Sequence, residues 1–78
     1  MVTVILVYDP NTYAVSQYTT IDRSLYADLE TFSRVVMEEE QRLGELHNIP
    51  ASGLRVFQGG GPTEESFFRW FPQFKRSS

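Results

Sequence analysis

The chain of 78 residues contains no cysteine and a single histidine, His47. Without thiols there is no disulfide framework, no CxxC redox site, no cysteine nucleophile and no zinc ribbon. One histidine also rules out a multi-histidine metal site. Excess positive charge is missing too: 7 Lys and Arg against 10 Asp and Glu leave a net charge of −3. Duplex DNA needs clustered cations against its phosphates, so a global footprint for it is absent. No apolar run approaches the roughly 20 residues of a membrane span. The N-terminal stretch from Val2 to Tyr8 stops at Asp9-Pro10 and has no basic region ahead of it, unlike a signal peptide. A cytoplasmic location is the expectation.

What is present describes one small folded domain over 1–78. Hydrophobic residues at 41% and charged residues at 22% are ordinary for a globular chain. Residues 2–8 are apolar on both alternating faces, the mark of a central strand covered twice. Asp9-Pro10-Asn11-Thr12 is a turn, and 13–20 has the β-propensity and mixed polarity of a partner strand nearer an edge. Tyr13 and Tyr18 fall on opposite faces of that strand by simple alternation. No lysine or proline within 13–20 blocks the addition of a further strand there.

The period then changes. Leu25, Leu29, Phe32, Val36 and Leu43 repeat at helical spacing, which predicts a helix over about 23–46. Asp22 or Ser24 is its expected N-cap, Gly44 a weak point, and Asn48-Ile49-Pro50 a firm stop. The stripe thins at Glu39 and Glu40, as expected where a helix runs past the edge of a small sheet. Residues 54–58 read as a third strand running parallel to the second, giving the strand order 2-1-3. Gly59-Gly60-Gly61 reads as a turn needing positive φ. Thr63 then caps a short helix from 64 to about 71 that Pro72 ends, with a fourth strand as the competing assignment. The fold class is thus α+β, ββαβ with a short C-terminal aromatic helix, a three-stranded mixed sheet and one long helix on one face.

No constellation of catalytic groups emerges. Glu38, Glu39 and Glu40 fan around a helix without converging, and Glu38 pairs with Arg42 at i,i+4. His47 suits a helix C-terminus, and Asp9 suits a turn. The three glycines have the outline of a phosphate-cradling loop, but the Walker lysine and hydroxyl are missing and Glu64 and Glu65 occupy the positive helix end. The expectation is no enzyme, no cofactor and no metal.

One segment stands out. Five of the eight residues 67–74 are aromatic, with Arg69 among them and Lys75 and Arg76 just beyond. At helical spacing Phe67, Trp70, Phe71 and Phe74 share a stripe and Phe68 points elsewhere. Three roles fit: a lid over the sheet face that the long helix leaves open, a protein-docking patch, or a stacking platform for single-stranded nucleic acid. The functional expectation is a small non-catalytic binding or modulator protein. Its partner is another protein or a second copy in a homodimer, engaged through Phe67, Phe68, Arg69, Trp70, Phe71 and Phe74. Single-stranded nucleic acid binding is the alternative.

Overall fold

The strand that the alternation places in the centre lies in the centre. In a computed structural model, which describes residues 1–76, β1 (Val2–Tyr8) is flanked by β2 (Ala14–Asp22) and β3 (Arg55–Gly61). It is antiparallel to both. Helix α1 (Leu29–Leu46) covers one face of the sheet and α2 (Glu64–Trp70) the other. Val4, Ile5, Leu6 and Val7 are therefore all fully buried, alternating between two cores. Ile5 and Val7 pack with Ile21, Val36 and Leu43 beneath α1. Val4 and Leu6 pack with Val15, Phe67 and Phe74 beneath α2.

The sheet has a fourth strand that the pattern did not announce. β4 (Lys75–Arg76) pairs in parallel with Ala14 and Val15, making the order β3-β1-β2-β4. Two residues carry no periodicity, so nothing in the sequence marks them. β4 also closes part of the edge of β2 that was expected to be open.

The second strand differs from simple alternation as well. Between Val7 and Tyr8 the register with β2 slips by one residue, so that Tyr8 faces Val15 while Val7 faces Gln17. Such a bulge reverses the facing of everything beyond it. Val15 consequently turns into the α2 core, and Tyr13, at φ 62°, stacks on Tyr8 beside Phe74. Tyr18 packs against Phe68 in that same layer. The two tyrosines are thus on one face, not on opposite faces.

The long helix starts later than the apolar stripe implied. Asp22 caps only a 3-10 turn, Arg23–Leu25, and Asp28 is the N-cap of α1, accepting from the Thr31 amide at 2.7 Å. Leu25 and Leu29 are exposed, while Val36 and Leu43 are buried. The thinning at Glu39 has a different cause from a sheet edge. Glu39 lies over β2, where Thr19 Oγ1 donates to its carboxylate at 3.3 Å. Its cation is Arg42 at i,i+3, through Nε at 3.0 Å, rather than the expected Glu38–Arg42 pair. The hydrogen bond from the Arg42 guanidinium lowers the Glu39 pKa, and Glu39 in turn raises that of Arg42. The helix stops where expected. Asn48 adopts φ 56°, its amide donates to Glu45 O at 3.1 Å, and the Ile49 amide donates to Gly44 O at 2.8 Å. These two bonds are the Schellman closure of a helix end.

The three glycines belong to β3 and not to a turn. Gly59, Gly60 and Gly61 pair with Val4, Thr3 and Val2, and none has positive φ. At Gly59 the reason is space. A Cβ there would lie 2.8 Å from Phe67 Cε2 and 3.1 Å from Phe57 Cε1. The missing side chain lets the buried Phe67 ring rest on the strand.

Candidate functional site

The aromatic segment is positioned from both ends. At its start, Thr63 Oγ1 accepts from the Ser66 amide at 3.0 Å, the N-cap expected from the sequence. Glu64 reaches across the sheet to β2, accepting from Tyr18 Oη at 3.3 Å and Thr20 Oγ1 at 2.9 Å. At its end, the Lys75 amide donates to Tyr13 O at 2.8 Å and starts β4. Between these anchors the rings form a connected layer. Phe67 contacts Phe57, Phe68 and Phe71 at centroid distances of 6.0, 5.1 and 4.9 Å. Phe74 meets Tyr8 and Phe57, both at 5.1 Å.

This layer sorts the six residues singled out by composition. Phe67 and Phe74 are buried, and Phe68 and Phe71 are half-buried. Arg69 is exposed, and Trp70 is 58% exposed. The expected stripe therefore has one member exchanged: Phe68 packs inward against Tyr18, while Trp70 points out. The Trp70 ring flanks β3, with Cζ3 3.7 Å from where a Cβ on Gly61 would stand. The cations divide. Arg69 approaches Glu65 at 3.4 Å, and Arg76 lies over the Phe68 ring at 4.4 Å. Most of the segment is thus the lid of the second core, and its outward part is Trp70 with Arg69.

The other chemistry-bearing side chains do not meet. His47 Nε2 is 2.9 Å from Gln17 Oε1 under α1, and Asp9 accepts from the Asn11 amide in its own turn. Among the described residues no three His, Asp or Glu side chains are grouped to hold a metal ion. None of their helices is long and apolar enough to cross a membrane. A shallow cleft lies apart from them between α1 and β3, lined by Met37, Glu40, Gln41, Ile49 and Val56.

Sequence reasoning missed the outer edge of β3, which runs beside Trp70. Its signal was present in Arg55-Val56-Phe57-Gln58, but reading the glycines as a turn cut the strand short. Comparison with protein-family models, curated proteins and solved structures yields no match for this chain.

Proposed function

We propose that this chain is a small non-catalytic protein-binding module whose contact surface is centred on Trp70. The observation that carries this reading is the exposed indole at the end of α2, next to the exposed Arg69 and flanking Gly61 of β3. Tryptophan and arginine are the side chains in which interface energy concentrates. A tryptophan ring has only two side-chain torsions, so it loses little conformational freedom when a partner covers it, which favours docking. The single-stranded nucleic acid reading has less support, because stacking needs several open rings and Trp70 is the one mostly exposed ring in the segment.

The test compares the native chain with Trp70→Ala as crosslinking baits in extract from its source cells, after circular dichroism has confirmed that both are folded. A defined protein retained by the native bait and lost by Trp70→Ala is the expected result. Identical captures by the two baits overturn the reading. Loss of the native signal on nuclease treatment transfers it to nucleic acid.

A further inference from the structure

We infer that β3 is a self-pairing edge: two copies of this chain join β3 to β3 antiparallel about a two-fold axis at Gln58, forming one continuous sheet. The inference rests on the protein-binding reading above and names a second copy as the occupant. β3 is the outermost strand on its side of the sheet, and its register with β1 is unbroken over seven residue pairs. Its outward backbone groups have no strand beside them. Native edges are usually blunted by charged side chains, proline or a bulge, and apart from Arg55 at its start, Arg55–Gly61 has none of these.

The strand is complementary to itself. A two-fold axis at Gln58 sets Arg55, Val56 and Phe57 of one copy opposite Gly61, Gly60 and Gly59 of the other. Three side chains thereby meet three residues without any. Residues facing each other across antiparallel strands project from the same sheet face. Phe57 and Gly59 lie on the α2 face, against Phe67. Arg55 and Gly61 share that face by alternation, and Trp70 flanks Gly61. Pairing therefore brings an Arg55 guanidinium to the exposed indole of Trp70 in the other copy, a cation–π contact. Arg55 is exposed and forms no ion pair among the described residues. On the α1 face the axis passes between two exposed Gln58 side chains, next to the cleft at Met37 and Val56. An isologous interface of this kind closes on itself as a dimer.

Gln58 provides the test, because its side chain meets its own copy only in this pairing. Sedimentation equilibrium of the native chain over a dilution series should give a reversible dimer. Gln58→Lys and Gln58→Glu each place like charges opposite one another and should weaken it about tenfold or more. Mixing the two variants should restore dimerisation. Amide hydrogen exchange of the native chain offers a readout without substitution: the outward-facing alternate amides of Arg55–Gly61 should gain protection as concentration rises, while those bonded to β1 do not change. A monomer at every soluble concentration overturns the inference, as does a dimer indifferent to both Gln58 variants. Edge protection appearing only with an extended peptide of another protein also overturns it. If these tests fail while Trp70→Ala still loses its captured protein, self-pairing falls alone and the binding surface at Trp70 stands.

Discussion

A single methyl group at Gly59 should separate a glycine required by packing from one that is not. A Cβ built on Gly59 stands 2.8 Å from Phe67 Cε2 and 3.1 Å from Phe57 Cε1. Neither ring has an easy retreat. Phe67 is fully buried, and Phe57 is held against Phe67, Phe71 and Phe74. Overpacking of this kind costs about 1–3 kcal/mol, partly offset by the roughly 0.5–1 kcal/mol that alanine gains over glycine in a strand. Gly59→Ala should therefore destabilise by about 1–2 kcal/mol. For a domain of this size that lowers Tm by roughly 5–15 °C. Gly60→Ala is the control, since its Cβ meets only Val2 O at 3.7 Å, an ordinary contact. It should be neutral or more stable by up to about 1 kcal/mol. Urea unfolding of both variants at one protein concentration gives the midpoints, with unchanged slopes showing that stability alone has moved. Adding Phe67→Leu to Gly59→Ala should recover part of the loss as a coupling energy in a double-mutant cycle. Equal midpoints for the two alanine variants would refute the packing account of the glycine run.

Four further outcomes follow from the same geometry. Phe67→Ala should cost about 3–5 kcal/mol in urea unfolding, whereas Trp70→Ala, which removes a mostly exposed ring, should cost less than about 1 kcal/mol. Gly44→Ala should stabilise α1 by about 0.5–1 kcal/mol, because it is a helix-interior glycine with nothing within 4 Å of a new Cβ. Thr63→Ala should cost about 1 kcal/mol through loss of the α2 cap, while Thr63→Ser retains most of it. Acid should weaken the fold. The pKa of Asp22 is lowered first by the Ser24 amide, that of Asp28 by the Thr31 amide, and that of Glu39 by Arg42. Their contribution is complete above the ordinary carboxylate range near about pH 4 and is lost as pH falls through the depressed values. Asp28→Asn keeps a capping oxygen without the ionisation, so its urea midpoint should fall less steeply between about pH 5 and about pH 2.

The architecture was legible wherever periodicity and capping chemistry spoke clearly. Two-sided apolarity placed β1 in the centre, the change to helical spacing placed α1 over one face, and Thr63 ahead of two glutamates placed α2. A face of β1 left uncovered by one helix called for a lid, and the phenylalanines supply it. Several of the errors lay where tertiary packing overrode a local preference. Glycines that favour turns were held in a strand because Phe67 needs the room. A bulge reversed the facing of Val15 and Tyr13, which strict alternation cannot foresee. Leu25 and Leu29 kept the helical spacing yet lie beyond the sheet, and a break at Tyr26–Asp28 resets the helix start. In the aromatic segment, composition identified the unusual residues without ranking their exposure. Which ring faces outward depends on the angle at which a two-turn helix meets the sheet, and that angle is set by Glu64 on β2 and Phe67 on Gly59.

Trp70 points outward from a segment whose phenylalanines turn inward. As the only tryptophan in the chain, it reports on itself. The direct measurement is its emission maximum with acrylamide quenching, recorded in dilute solution. Red-shifted emission and ready quenching are expected in the folded protein, close to the values in urea. Blue-shifted emission protected from acrylamide in dilute native protein would instead place the indole in the core.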